Sequence, residues 1–121
     1  MDKYEALYKF YSSFGIPAYE ENSVDDKAKM PYLTYEVITA SFDADSVAIS
    51  CQLYFKSKDL TEIDRLAEKI SAALSGGVCL KCDNGYIALY KGTPFAQNRP
   101  TGDKSVKCKY LNISADFITQ T

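Results

Sequence analysis

The fold of this chain is decided by residues 31–74, which read PYLTYEVITASFDADSVAISCQLYFKSKDLTEIDRLAEKISAAL. Apolar and polar residues alternate from Val47 to Phe55, which is the pattern of a strand with one face on a core. After Asp59 the apolar residues recur every three or four positions, as in an amphipathic helix. This stripe consists of Ile63, Leu66, Ala67, Ile70, Ala73 and Leu74. The stretch therefore predicts a strand followed by a helix that packs on the sheet, with Asp59 as N-cap and Glu62 completing a capping box.

Cap and turn residues predict what precedes this block. A first helix is expected over residues 3–14, with Asp2 as its N-cap and with Gly15 and Pro17 ending it. Its buried face is expected to carry Tyr4, Leu7, Tyr8, Tyr11 and Phe14. Residues 18–30 are polar and are predicted to form an exposed connection, with room for a short strand at its start.

Five strands are predicted in the rest of the chain. They cover residues 32–40, 46–56, 78–82, 86–90 and 105–118. Residues 43–45 and 83–85 are expected to be hairpin turns, the second because Asn-Gly favours a tight turn. Residues 93–104 contain two prolines and are expected to form an irregular loop. The apolar residues of the last strand change parity, so a bulge is expected near Tyr110.

These elements predict an α+β fold class: a mostly antiparallel twisted sheet packed against two helices. The predicted order is α-β-β-α-β-β-β, with an extra short strand allowed after the first helix. Because repeats, low-complexity tracts and linker-like segments are absent from the sequence, residues 1–121 are predicted to form a single α+β domain.

Charge and hydropathy narrow the classes of function. Fourteen Lys and Arg against sixteen Asp and Glu give a net charge of −2, which offers no general attraction to nucleic acid or anionic lipid. The apolar runs are short and charged residues interrupt the start of the chain, so neither a membrane-spanning helix nor a secretory signal is predicted. We therefore expect no membrane association, no specific nucleic-acid binding, and a cytoplasmic site of synthesis and residence.

Residues that usually carry catalysis are scarce. The sequence contains no histidine, which removes the commonest general base and catalytic metal ligand. The paired carboxylates at residues 25–26, and Asp43 with Asp45, lie in polar turns, where acidic residues usually serve solvation. Gly76 and Gly77 follow a helix rather than opening one, so they form no phosphate cradle. We expect no enzymatic activity and no cofactor.

Two further groups have a plain and a functional interpretation. Lys104, Lys107 and Lys109 form a small basic patch, for which a solvated or edge-protecting lysine row is favoured over a phosphate site. The four cysteines are Cys51, Cys79, Cys82 and Cys108. The gap between Cys79 and Cys82 occurs in zinc and redox motifs, but the other two cysteines are far apart in alternating strands. Reduced core cysteines are therefore favoured over a metal or redox site.

The ten tyrosines, against no tryptophan, are the oddity of the composition. Tyrosine combines a large contact area with a polar tip and is enriched at protein interfaces. Four tyrosines are predicted to lie on the outward face of the sheet: Tyr32, Tyr54, Tyr86 and Tyr90. They indicate either a partner surface or ordinary sheet propensity, and both explanations stay open.

The chain resembles the tail terminator, or tail completion, proteins of long-tailed bacteriophages and prophages, and related minor tail and neck proteins. The resemblance covers nearly the whole chain and lies in the order of elements. An N-terminal helix and a polar connection precede a Pro-Tyr opening to a hairpin at residues 31–36. Residues 51–74 are a strand that leads into one long amphipathic helix, and a loop precedes a long terminal strand.

This resemblance implies a structural protein without a cofactor. It implies a ring, expected to be a hexamer, at the head-proximal end of the tail tube, where it ends tube polymerisation and joins the tail to the head. The implied partners are other copies of the chain, the tail tube protein and the head-completion or connector protein. The implied location is the head–tail junction of the virion, after assembly in the bacterial cytoplasm. A mild negative charge suits a ring through which DNA must slide.

Carried over to this sequence, the resemblance makes the loop over residues 93–104 the candidate contact surface. Its candidate contact residues are Phe95, Gln97, Asn98 and Arg99. A mobile loop without a partner explains the same composition. Deleting residues 94–102 is expected to leave the fold intact and to abolish assembly.

Two other classes of function remain open. A small monomeric module of bacterial or prophage origin would bind a protein or peptide at an exposed sheet edge or on the tyrosines. An enzyme would need a pocket that holds an Asp, Glu or Cys with a shifted pKa.

Overall fold

A computed structural model of the chain describes residues 1–36, 47–83 and 85–119. Two helices and six strands lie within these ranges. In chain order they are α1 (Lys3–Ser12), β1 (Ala18–Glu20), β2 (Tyr32–Tyr35), β3 (Val47–Lys56), α2 (Thr61–Ala73), β4 (Val78–Cys82), β5 (Gly85–Arg99) and β6 (Val106–Thr119).

The strands form one mixed sheet in the order β1-β2-β3-β6-β5-β4, curled into a half-barrel. β1 runs parallel to β2, with Ala18 opposite Leu33, whereas all other described neighbours are antiparallel. The predicted fold class is therefore wrong: the chain is mostly sheet, the sheet is mixed, and the order is α-β-β-β-α-β-β-β instead of α-β-β-α-β-β-β. β1 is three residues long, which is too short for an alternating pattern to reveal its pairing.

Helix α1 contacts both β1 and β4, which are the two edge strands of the sheet. Neighbouring strands lie about 4.8 Å apart, so a helix reaches both edges of a six-stranded sheet only if the sheet curls around it. Helix α2 packs over the middle of the sheet, against β3, β6 and β5. Both helices share one hydrophobic core with the sheet, and we call the sheet surface that they cover the helix face.

The helix face carries the apolar residues of the alternating strands. Its most buried sheet residues are Leu33, Ile49, Cys51, Leu53, Ile87, Leu89, Leu111, Ile113 and Ala115. Burial of each large aliphatic side chain stabilises the fold by about 1.5–3 kcal/mol before entropy is counted. The helical stripe predicted for α2 is buried as expected except at Ala73, which is exposed.

The predicted start of α1 is confirmed, and its predicted end is too long. Asp2 is the N-cap, and its Oδ1 accepts a hydrogen bond from the Glu5 amide at 2.8 Å. The helix ends at Ser12 instead of Phe14, and Gly15 follows with a φ of +90°. This left-handed backbone is the conformation in which glycine commonly ends a helix.

The prediction that Tyr4 and Tyr8 lie in the core is wrong. Their side chains are 48% and 54% exposed, whereas Leu7 and Tyr11 on the same helix are buried. Ala6 is buried as well, so the buried arc of α1 is rotated away from the two tyrosines. Ten residues offer too few turns for the sequence to define that rotation.

The predicted capping box of α2 is also wrong. Leu60 occupies the N-cap position and makes no side-chain cap bond. Asp59 lies one residue earlier, where its Oδ1 accepts a hydrogen bond from the Thr61 amide at 3.0 Å. The predicted end of the helix is confirmed, because Gly76 and Gly77 follow it with φ values of +78° and +89°.

β5 extends to Arg99, so the loop predicted over residues 93–104 is wrong for residues 93–99. Lys91 lies opposite Ile113 and Ala96 opposite Leu111, which leaves Asn112 facing the bulged residues 92–95. The bulge is therefore in β5, and the bulge predicted near Tyr110 is wrong, because β6 pairs with β3 without a register shift. The parity of the apolar residues changes because β6 is covered on both faces: Cys108, on the face away from the helices, is only 5% exposed.

Both predicted hairpins are present. β2 pairs with β3, Leu33 opposite Leu53, and β4 pairs with β5, Leu80 opposite Ile87. Some predicted positions lie outside the described residues: the turn at residues 43–45, strand residues 37–40 and 46, and Asn84.

Candidate functional site

The face of the sheet that points away from the helices carries six tyrosines among the described residues. They are Tyr19 in β1, Tyr32 in β2, Tyr54 in β3, Tyr110 in β6, and Tyr86 and Tyr90 in β5. Strand alternation places them there: Tyr54, for example, lies between the buried residues Leu53 and Phe55. We call this surface the tyrosine face. It includes the four tyrosines that the sequence predicts to point outward.

One end of the tyrosine face is a ladder of aromatic rings across β1, β2 and β3. The rings of Tyr19 and Tyr32 meet edge to face, with centroids 5.8 Å apart, and those of Tyr32 and Tyr54 stack at 5.2 Å. All three side chains are half-buried. Aromatic pairs of this geometry contribute about 0.5–1.5 kcal/mol beyond the area that they bury, so the ladder holds its shape.

A polar centre anchors the ladder at Tyr54. Its hydroxyl donates a hydrogen bond to Gln52 Oε1 at 2.8 Å, and the Cys108 thiol makes a weak contact with the same oxygen at 3.9 Å. Burial, with a smaller contribution from Cys108, raises the pKa of Tyr54 to about 12. The hydroxyl therefore remains a hydrogen-bond donor at neutral pH.

Arg99 extends this end of the face onto β5 and β6. Its guanidinium carbon lies 4.3 Å from the centroid of the Tyr110 ring, within the range of a cation–π contact. Arg99 is also opposite Cys108 in the register of the two strands. An exposed positive charge therefore lies at the edge of the aromatic ladder.

The other end of the face is apolar and more exposed. Tyr90 and Ile118 are 44% and 48% exposed, and Tyr86 lies directly opposite Ile118. The Tyr90 ring covers Gly77, where a Cβ atom would lie 2.8 Å from Tyr90 Cε1. A larger residue at position 77 would displace the ring, so this glycine defines where Tyr90 lies.

The β5 bulge lies between the two ends of the face and is held by Asn112. The side-chain amide of Asn112 donates to the Pro94 carbonyl oxygen at 2.8 Å and to Gln97 Oε1 at 3.4 Å. A Cβ on Gly92 would lie 3.0 Å from both Cβ and the carbonyl oxygen of Asn112. The close approach of the two strands therefore requires glycine there.

The four predicted contact residues do not form one surface. Gln97 and Arg99 lie on the tyrosine face, because they are opposite Tyr110 and Cys108. Asn98 is one position out of phase with them, and Phe95 is half-buried and packs against the core. Their alternation follows from their place in a strand, which the loop prediction missed.

The predicted solvated lysine row is wrong at Lys109. Its side chain is 12% exposed, and its Nζ lies 2.6 Å from Asp64 Oδ1 in α2. Lys107 Nζ donates to the carbonyl oxygen of Lys104 at 2.8 Å. Lys109 therefore connects β6 to α2 and is not part of a basic surface.

An open groove of about 560 Å³ lies at the end of the β5–β6 ribbon. It is lined by Leu60, residues 98–104 and residues 106–108. Asp103 in its wall accepts hydrogen bonds from the hydroxyl and amide of Ser105, which lower the pKa of this carboxyl group. The groove lining contains three basic residues, Arg99, Lys104 and Lys107, and this one acidic residue.

The cysteines are all free thiols. Cys51, Cys82 and Cys108 are buried, and burial raises the pKa of each thiol above its ordinary value. Cys79 is exposed, so it does not fit the prediction of a core cysteine. Within residues 1–36, 47–83 and 85–119, no three His, Cys, Asp or Glu side chains are grouped to hold a metal ion.

Sequence reasoning missed Tyr19 and Tyr110 as members of the tyrosine face. Tyr19 alternates with the buried Ala18, but the strand is too short to show this. Tyr110 shares its parity with Val106 and Cys108, and that pattern predicts a core face with a bulge. The same pattern is also that of a strand covered on both faces, which places Tyr110 on the outward face.

The chain matches no protein-family model and no curated protein. In the part of the chain that the structure describes, neither helix is long and apolar enough to span a membrane.

Proposed function

We propose that this chain is a subunit of a ring of the tail terminator type, which ends polymerisation of a phage or prophage tail tube and joins the tail to the head. The role is structural, the expected ring is a hexamer, and the partners are the tail tube protein and the head-completion or connector protein. The observation that carries the proposal is the tyrosine face, an ordered aromatic surface that no described helix covers.

The chemistry of this face suits contact between proteins. Tyrosine offers a large contact area with few rotatable bonds and a hydroxyl that bonds at the rim of an interface. Tyr32 and Tyr54 are held by stacking and by Gln52, so little conformational entropy is lost when a partner packs on them. Tyr90 and Ile118 provide the exposed apolar area that burial would remove from water.

The length of the sheet also supports a subunit role. β5 and β6 span fifteen and fourteen residues, which corresponds to roughly 45–50 Å of strand. Stable protein interfaces bury roughly 1,200–2,000 Å² in total. The two long strands, together with β1, β2 and β3 beside them, can supply one side of a contact of that size.

The first experiment is sedimentation velocity over a wide concentration range, with negative-stain imaging of the heaviest species, alone and with tail tubes of the same phage. Annular particles of about six chains, or rings capping the tubes, are expected. A monomer at every concentration that also leaves tube length unchanged would contradict the proposal.

A matched pair of substitutions tests the tyrosine face itself. Tyr90→Ser should abolish ring formation, whereas Tyr8→Ser should leave it intact. Both tyrosines are about half exposed, but Tyr8 lies on α1. Rings that persist in Tyr90→Ser and are lost in Tyr8→Ser would move the contact to the helix side. Deleting residues 94–102 is not a useful test, because it removes the end of β5.

One observation favours a second candidate function, a monomeric module that binds a protein or peptide. The groove at the end of the β5–β6 ribbon has a volume of about 560 Å³ and carries Arg99, Lys104 and Lys107. An acidic peptide fits this lining. A chain that remains monomeric and binds an acidic peptide, with loss of binding in Lys104→Glu, would favour this function over the ring.

A further inference from the structure

β5 has one unpaired edge. β4 covers it only from Gly85 to Leu89, whereas β6 accompanies it to Arg99. Among the described residues, no strand lies on the outer side of β5 beyond Leu89. An unpaired strand edge presents backbone N–H and C=O groups that pair readily with another chain.

The end of the ribbon that carries this edge is basic. Residues 90–111 contain five Lys or Arg and one Asp, a net charge of +4. Lys109 is paired with Asp64, but Arg99 and Lys104 are exposed. The accessible charge therefore lies at the groove and along the last residues of β5.

The opposite end of the sheet is acidic. Residues 19–36, around β1 and β2, contain five Asp or Glu and two Lys, a net charge of −3. Glu20 and Asp25 use their carboxylates in local turn bonds to Asn22 and Lys27. Glu21 and Asp26 are exposed, so they are the acidic groups best placed to meet a partner.

Partial burial and the nearby carboxylates of Glu36 and Glu20 raise the pKa of Glu21. These three carboxylates therefore repel one another, and a cation from a partner would relieve that repulsion. A basic partner surface is present at the other end of the same sheet.

We propose that the free edge of β5, with Arg99 and Lys104, docks against the acidic connection after β1 of a second copy of the chain. The two surfaces are complementary in charge and lie at opposite ends of the sheet order, β1 at one end and β5 with β4 at the other. A contact between two different surfaces of identical chains is head to tail, and such a contact forms a ring when the rotation between subunits closes and an open filament when it does not. This inference rests on the proposed ring and adds an edge contact between its subunits to the contact made by the tyrosine face.

Charge reversal at each surface tests the contact. Two double variants are made. One reverses the basic surface (Arg99→Glu with Lys104→Glu), and the other reverses the acidic surface (Glu21→Lys with Asp26→Lys). Each should raise the dissociation constant of self-association at least about tenfold. Equal amounts of the two variants mixed together should restore assembly, because each reversed surface then meets its complement. The control is Lys9→Glu with Lys69→Glu, which makes the same change in net charge as the basic-surface variant but places it on the helices. This control should assemble like the wild type.

Hydrogen exchange gives an independent readout, because the amides of Thr93 and residues 95–99 that point to the free edge should become protected on assembly. Circular dichroism checks that each variant is folded. Assembly of both reversed variants at the wild-type concentration would overturn this contact and leave the ring proposal standing. Failure of the mixture to restore assembly would overturn the pairing of these two surfaces. A wild-type chain that remains monomeric, alone and with tubes, would overturn both proposals.

Discussion

The side-chain amide of Asn112 donates a 2.8 Å hydrogen bond to the carbonyl oxygen of Pro94. Asn112 is the residue of β6 that faces the β5 bulge at residues 92–95, where the ladder between the two strands is interrupted. This side chain therefore bridges the two strands where the bulge interrupts their ladder, between the two ends of the tyrosine face.

Replacing Asn112 should loosen the bulge without unfolding the sheet. Asn112→Ala removes the bond to Pro94, and a hydrogen bond of this kind contributes about 1 kcal/mol to stability. Urea unfolding should show a loss of that size, and hydrogen exchange at Gly92, Thr93 and Phe95 should accelerate. Asn98→Ala, at an exposed position in β5 beyond the bulge, should change stability by no more than about 0.5 kcal/mol. Equal losses in the two variants would show that the bond does not hold the bulge.

The ion pair between Lys109 and Asp64 should stabilise the packing of α2 on the sheet. Asp64→Asn leaves a largely buried ammonium group without its partner, since the Lys109 side chain is 12% exposed. Glu62→Gln removes one charge from the same first turn of the helix and serves as the control. Asp64→Asn should cost about 1 kcal/mol more than Glu62→Gln in chemical denaturation, because the Asp64 side is partly exposed and screened. The same loss in both variants would mean that the helix dipole, rather than the pair, accounts for it.

Local patterns predicted the centre of the fold well. The switch from alternating to helical spacing between Phe55 and Ile63 reflects two adjacent elements that each bury one face. The Gly76-Gly77 stop after α2 was also correct, because helix termination depends on a few neighbouring residues. Both features depend on neighbouring residues and could be derived from the sequence, although the N-cap of α2, which is also local, could not.

Features that depend on residues distant in the sequence could not be derived from it. Two prolines indicated a loop at residues 93–104, yet Pro94 lies in a bulge, where a strand tolerates the missing donor. The burial of Cys108 depends on side chains from neighbouring strands, so its parity suggested a bulge in the wrong strand. The tyrosine face was foreseen at four positions, but its ladder requires the pairing of β1 with β2, which no local pattern shows.

Tyr11 should tolerate the loss of its hydroxyl group. The side chain is fully buried, stacks on Tyr35 with centroids 4.8 Å apart, and its hydroxyl finds no hydrogen-bond partner among the described residues. A buried hydroxyl without a partner destabilises the folded state. Tyr11→Phe should therefore leave the free energy of unfolding unchanged or raise it by up to about 1 kcal/mol. Tyr11→Ala should lower it by about 3–5 kcal/mol, since it leaves a cavity. A clear loss in Tyr11→Phe would reveal a partner for the hydroxyl.

Thiol labelling should distinguish one cysteine from the other three. Cys79 is exposed, whereas Cys51, Cys82 and Cys108 are buried and have raised pKa values. A maleimide at neutral pH should label one thiol per chain, with the rest reacting at least about tenfold more slowly. Cys79→Ser should remove the fast phase. Two fast thiols in the wild type, seen by intact mass spectrometry, would contradict the packing around the buried cysteines.

Stability should fall at alkaline pH because of the buried tyrosines. The pKa of Tyr54 is raised from 10.0 to about 12, chiefly by burial, and burial raises the pKa values of Tyr11 and Tyr35 in the same direction. Below pH 10 the folded and unfolded chains both keep these protons, so the stabilisation is complete. Between pH 10 and about 12 the unfolded chain ionises first, and the folded state loses stability as the pH rises. Urea midpoints measured across this range should decline, and the decline should be shallower in Tyr54→Phe, which has no proton to lose. An equal slope in the wild type and Tyr54→Phe would show that Tyr54 ionises alike in both states and that its place in the ladder does not exclude water.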